Sequence, residues 1–151
     1  MSKYATGSEV PANRSRGEME QVLKTHGARG FGYGWTQDFD RVEFLWHDRQ
    51  IRFVLPRPKL DAFGLTPKGR ARTERDRRAR YEAEDRRRWR ALLLVIRAKL
   101  EAVETGIAVF EEEFLAHIVM PNDQTIGEIL LPRLEDGSLA KRLLPPAQHA
   151  K

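Results

Sequence analysis

The chain has 151 residues, of which 40% are hydrophobic and 32% charged, with a formal net charge of +5. A mass of 17.5 kDa and a pI near 9.8 go with one basic domain. Cysteine is absent, which excludes disulfide scaffolds, thiol catalysis and Cys-ligated zinc or iron–sulfur centres. No apolar run approaches the ~18 residues of a spanning helix, and Met1 to Gly7 lacks the apolar stretch of a secretory signal. A soluble, cytoplasmic protein is expected.

Residues 1–14 show no periodicity and read as a flexible arm. Ser15-Arg16-Gly17-Glu18 has the Ser-x-x-Glu form of a capping box, and Met19, Val22, Leu23 and His26 follow at helical spacing. Gly27 is placed to end that helix. The period then changes to two. Phe31, Tyr33 and Trp35 alternate with Gly30, Gly32 and Gly34, so the other face of the first strand is bare backbone. Val42, Phe44 and Trp46 form one side of a second strand, and Ile51, Phe53 and Leu55 one side of a third. With a tight turn at Asp48-Arg49, this predicts a three-stranded antiparallel meander closed by Pro56. Alternating glycines weaken a strand, so they imply either a helix packed very close or poor order.

Residues 57–73 read as a basic connection. Thr73 can cap a long helix, with Glu74 and Asp76 in its first turn. Tyr81, Trp89, Leu92, Leu93, Ile96, Leu100 and Val103 keep helical spacing to Gly106. An acidic helix is predicted next, with Ile107, Phe110, Phe114 and Ile118 on one face and Glu111, Glu112 and Glu113 largely off it. Thr125 and Glu128 offer a second capping box for a short last helix that Pro132 must bend or shorten. Residues 145–151 are expected to be a disordered tail. The prediction is one α+β domain over 15–144.

Charge is unevenly spread. Residues 66–90 hold 11 basic and 5 acidic groups, whereas residues 101–128 hold seven acids and no Lys or Arg. One reading is an arginine-rich arm that tracks a phosphate backbone. The other is a solvated helix face with i,i+4 pairs such as Glu74–Arg78, Asp76–Arg80 and Glu82–Arg86, partly neutralised by the acidic helix folding back.

Catalytic and metal motifs are absent. His26, His47, His117 and His149 have no ligand spacing among themselves. Glu111 to Glu113 are consecutive on a helix and point about 100° apart, so they do not converge. There is no P-loop, dinucleotide fingerprint, nucleophile elbow or His-Glu-x-x-His. The expectation is therefore a non-enzymatic protein with no cofactor and no metal.

Arg29-Gly30-Phe31-Gly32-Tyr33 resembles the opening of the RNP1 signature of RNA-recognition-motif domains. The match ends there, because Gly34, Trp35 and Thr36 stand where an aliphatic, a free position and an aromatic belong. The core is the better place for these rings. Three longer stretches, Ile51 to Pro56, Arg88 to Val103 and Phe110 to Ala116, resemble a family of small uncharacterised proteins encoded by bacteriophages and prophages. That resemblance runs from about Ser15 to Leu134 and implies a mobile-element origin and a host-cytoplasm location. It brings no catalytic residues with it. A three-stranded meander followed by a long helix also looks like the β-β-β-α core of phage single-strand annealing proteins, a likeness of topology alone.

The resulting expectation is an accessory protein that binds nucleic acid, with DNA replication, recombination or repair as its setting. Lys68, Arg70, Arg72, Arg75, Arg77, Arg78, Arg86, Arg87 and Arg88 are the candidate phosphate contacts, and Tyr33 and Trp35 the candidate stacking platforms. The alternative is a protein-interaction module, such as a host-takeover or anti-defence inhibitor, steered by its charge asymmetry. The run Leu92 to Ile96 turns apolar groups in nearly every direction, so a homodimer is expected, packed through Leu94, Ile118 and residues 126–134.

Overall fold

A computed structural model describes residues 3–139, with side chains from residue 12 onward. The expected tail at 145–151 lies outside the described residues. The elements run α1 (Lys3–Thr25), β1 (Gly30–Trp35), β2 (Phe39–Trp46), β3 (Arg49–Pro56), α2 (Glu74–Glu104), α3 (Phe110–Glu113) and α4 (Ile126–Glu135). This is the α+β fold that the two periodicities predict.

The first helix begins at Lys3 rather than after a cap at Ser15, so residues 3–14 are helical rather than an arm. The reason is packing by small residues. Ala12 and Ser15 are buried and continue the stripe of Met19, Val22 and Leu23 toward α2. Ser15 is thus a helix-interior residue, and Glu18 faces Arg14 and Arg97 at 3.7 and 3.8 Å. The ring of Trp89 lies beneath Arg16 at 5.0 Å and Glu104 pairs with His26, so α1 and α2 run in the same direction.

The sheet has the order β1-β2-β3, antiparallel throughout. Tyr33 pairs with Val42 and Val42 with Phe53, while Phe31 pairs with Phe44 and Phe44 with Ile51. The inward face is therefore the apolar one. The β2–β3 connection is His47-Asp48, one residue earlier than expected, with His47 at φ +52°. Neither expectation for the glycine face holds. A Cβ at Gly32 or Gly34 would meet nothing within 4 Å, and both residues are regularly paired to β2. That face of β1 is open at Gly32 and Gly34, whereas at Gly30 a Cβ would press on the Leu45 side chain at 3.3 Å.

The core lies between the inward sheet face, α1, α2 and the segment after α2. Trp89, Leu92, Leu93, Ile96 and Leu100 are the buried stripe of α2. Thr73 caps the helix by accepting from the Asp76 amide at 3.1 Å. Leu94 is 52% exposed and Val95 is exposed too, so the apolar run is not buried on all sides.

The acidic helix is one turn long. Phe110 and Phe114 must both reach the sheet, where Trp46 stacks on Phe110 at 4.7 Å and Phe44 meets Phe114 edge-on at 5.8 Å. The chain then tightens into a 3-10 turn (Leu115–His117), and Ile118 becomes extended, bridging to Ile51 on the β3 edge. Ile118 is buried within the chain, which removes it from any interface with a second copy, and Ile107 is 83% exposed rather than on the buried face. The acidic helix does not fold back on the arginine-rich run: Glu111 to Glu113 make one ion pair among the described residues, Lys99–Glu113 at 3.0 Å.

Two devices fix the last segment. On the outer sheet face, buried Arg52 donates to Glu43 at 2.6 Å and to the carbonyl and carboxylate of Asp123, each at 2.7 Å. The Thr125–Glu128 capping box closes at 2.9 and 3.1 Å and starts α4, which continues through Pro132. Gly127 lets α4 approach closely, because a Cβ there would sit 2.9 Å from the carbonyl oxygen of Ala116. Gly127→Ala should therefore destabilise the protein by about 1–3 kcal/mol. Gly32→Ala, at an open position, should be neutral or slightly stabilising. Urea denaturation of the two variants checks the contrast; equal effects would mean that α4 is not held at that distance.

Candidate nucleic-acid interface

α2 is 31 residues long, about 46 Å at the usual rise, and its N-terminal half carries the arginine-rich run. The connection before it is ordered. A 3-10 turn (Leu60–Phe63) leads into a small hairpin in which Leu65 bridges to Ala71 and Gly69 has φ +80°. Lys68 and Arg70 are exposed at that hairpin.

The structure sorts the candidate cations into three groups. Arg72 and Arg77 turn inward. The Arg72 side chain is largely covered and faces Asp76 at 3.5 Å, Arg77 pairs with Glu74, and the Nε of each is buried without a hydrogen-bond partner. Arg72 and Arg77 thus pack the connection against the helix. A second group is tied to neighbouring acids. Arg87 and Arg88 both donate to Glu84, at 2.6 and 3.1 Å, and Arg88 also donates to the carbonyl of Pro56 at 2.6 Å. Arg78 and Arg80 meet Glu74 and Asp76 at 3.6 and 3.9 Å, as i,i+4 spacing predicts. The predicted Glu82–Arg86 pair is not made.

The third group is Lys68, Arg70, Arg75, Arg86 and Arg90, which have no ion pair among the described residues. At ~100° per residue, Arg75, Arg86, Arg90 and Arg97 fall on one flank of α2. Arg86 and Arg90 face α1, where they line a groove of about 490 Å³ together with Arg14, Ser15 and Glu18. Arg14 and Arg90 line this groove although neither was among the candidate phosphate contacts. Arg14 belonged to a segment read as an arm, and only the parallel packing of α1 brings it to α2.

Beside this flank lies a larger cleft of about 840 Å³. Its floor is Asp40, 2% exposed. Tyr33 Oη donates to Asp40 Oδ1 at 3.1 Å, and Arg57 donates to the same oxygen at 2.9 and 3.2 Å. Tyr33 is 38% exposed but already engaged: its ring meets Trp89 edge-on at 5.5 Å and Arg16 lies over it at 4.4 Å. Trp35 is 66% exposed, with Arg57 at 5.1 Å from its ring, and remains available. Arg78, Tyr81, Glu82 and Asp85 of α2 form one wall. Asp85 is half-buried and makes no hydrogen bond or ion pair among the described residues; burial, then the charge of Asp40, raises its pKa above the ordinary carboxylate value. Burial and the charge of Asp85 likewise raise Tyr81. One sign of the cleft was present in the sequence, since Asp40 occupies an inward position in the alternation with Val42, Phe44 and Trp46.

Elsewhere, His26 donates from Nδ1 to the Val22 carbonyl at 2.8 Å and pairs through Nε2 with Glu104 at 2.9 Å, and Glu101 lies beside them. His117 stacks on Phe53 at 3.9 Å, and burial lowers its pKa. No helix among the described residues is long and apolar enough to cross a membrane.

Glu84 offers a direct check on the tied arginines. Hydrogen bonds from Arg87 and then Arg88 hold its pKa down to about 2. The folded-state value is depressed, so the stabilisation is complete above the unfolded carboxylate pKa and is lost as pH falls toward 2. A carboxyl-detected NMR titration should place the Glu84 midpoint near 2, and it should rise toward the ordinary value in the Arg87→Gln, Arg88→Gln double variant. A midpoint near 4 in the unaltered protein would free both arginines for other partners. No family model, curated protein or solved structure matches the chain.

Proposed function

We propose that the protein binds the phosphate backbone of nucleic acid along the exposed flank of α2. The observation that carries this is the groove between α1 and α2, where Arg14, Arg86 and Arg90 converge and the last two meet no acid among the described residues. An amphipathic helix that pairs its charges internally needs no such groove, and exposed pairs contribute too little to account for eleven basic groups in 25 residues. Lys68, Arg70 and Arg75 extend the same surface toward the helix start, Arg78 joins it at the cleft mouth, and Trp35 is the stacking platform. Arg72 and Arg77 are structural in this reading, and Arg87 and Arg88 are secondary because Glu84 competes for them.

The role is that of a non-enzymatic accessory factor acting on DNA in replication, recombination or repair, which fits the resemblance to phage-encoded proteins. Self-association belongs to the same reading, with Leu94 and the exposed Leu131 and Leu134 of α4 as contact groups in place of Ile118.

Fluorescence anisotropy with single- and double-stranded oligonucleotides across a salt series tests it. Binding should be strong at ~50 mM salt and fall steeply above it. Arg86→Gln with Arg90→Gln should weaken binding to every sequence and reduce the salt slope by roughly two, one phosphate contact for each arginine. Arg72→Gln should instead lower stability. Absence of binding at ~50 mM salt would leave the protein-interaction module as the better reading.

A further inference from the structure

We propose that the cleft between α2 and the end of the sheet is a base-reading pocket that takes an unstacked guanine. This inference rests on the nucleic-acid reading and names what the second site on the same helix does. The cleft's 840 Å³ is within the ~300–1,000 Å³ range of small-ligand pockets. Lys59 lines it without an ion pair among the described residues, and Arg78, exposed and 3.6 Å from Glu74, lines it as well, so the two can meet a phosphate.

Five carboxylates line the cleft, of which Asp38 and Asp61 are exposed and Asp40, Glu82 and Asp85 lie deeper. Asp40 receives three hydrogen bonds on one oxygen from Tyr33 and Arg57, so it is a structural floor. Glu82 and Asp85 are partly buried and have no protein donor among the described residues; Asp85, beside Asp40 and the more affected by burial, is the acceptor placed for a ligand. A carboxylate offers acceptors only. Of the four bases, guanine alone presents two adjacent donors, its ring N1–H and its exocyclic amine, to a carboxylate in the bidentate manner that makes such contacts strong. Adenine and cytosine place an acceptor beside their amine, and uracil or thymine places carbonyls on either side of its single donor. Tyr81, one helical turn before Asp85 and held edge-on by Phe63 at 6.4 Å, supplies the aromatic wall that single-strand readers use for stacking. Base and phosphate recognition thus share one helix, with Arg78, Tyr81 and Asp85 at i, i+3 and i+7.

The full chain titrated with the 5′-monophosphates of guanosine, adenosine, cytidine and uridine, followed by calorimetry, tests the pocket. GMP should bind at least ten-fold tighter than the other three. Asp85→Asn, which replaces one acceptor by a donor, should abolish that preference, whereas Arg90→Gln should leave it intact and weaken oligonucleotide binding. Asp85→Ala with an unchanged thermal melt should behave as Asp85→Asn does. Equal affinities for the four nucleotides, or a guanine preference that survives Asp85→Asn, would overturn the proposal. The two readings fail separately. Oligo(dT) binding without nucleotide preference removes the pocket and keeps the phosphate surface; GMP preference without oligonucleotide binding does the reverse.

Discussion

The arrangement of the whole molecule depends on one buried carboxylate. Asp40 lies on the apolar face of β2, where an unpaired charge would cost several kcal/mol, so it must be met by donors. Arg57, just past the end of β3, and Tyr33, on β1, meet it. That requirement ties the far ends of all three strands together. Tyr33 in turn gives Trp89 an edge-on neighbour and Arg16 a ring to lie over, which joins the sheet to α2 and α1. Satisfying one charge therefore sets where both long helices cross the sheet end, and the cleft is the space left above that network.

Parallel packing of α1 and α2 has an electrostatic consequence. Two helices running in the same direction place like ends together, and the ordinary way to offset this is through side chains near those ends. Here the C-terminal ends meet around His26 and Glu104, and the middle is crossed by Arg97–Glu18. Toward the N-terminal side the cations outnumber the acids. Arg14, Arg86 and Arg90 stand together there because the helix axes bring them together, and like charges held close are tolerated on a surface that solvent or a polyanion screens.

The C-terminal third is held by geometry rather than by a large apolar face. α4 has no fully buried residue. Its position is fixed by the Arg52 clamp, the capping box and the close approach at Gly127, and by the strand-like pairing of Ile118 with Ile51. The acidic helix expected before it is cut to one turn because Ile118 has to become extended and enter the β3 edge. A regular helix would carry Ile118 away from that edge.

Local patterns in the sequence determined the elements themselves. Alternation set the three strands and the identity of their inward faces, and Thr73 and Thr125 set two helix starts, because side-chain period and capping are properties of neighbouring residues. The concentration of charge in residues 66–90 was equally legible. Which of those charges remain available was not, because it depends on residues far apart in the chain. Arg72 and Arg77 turn inward, Arg88 reaches the Pro56 carbonyl, and Arg14 comes to Arg86 and Arg90 only through helix packing. The length of α1 was hidden for a related reason: Ala12 and Ser15 carry no apolar signal, yet their small size is what allows α2 to approach. Asp40 and Asp85 are 45 positions apart in the chain, and only tertiary structure makes one a satisfied floor and the other an open acceptor, since burial and available donors are set by whatever packs around a group.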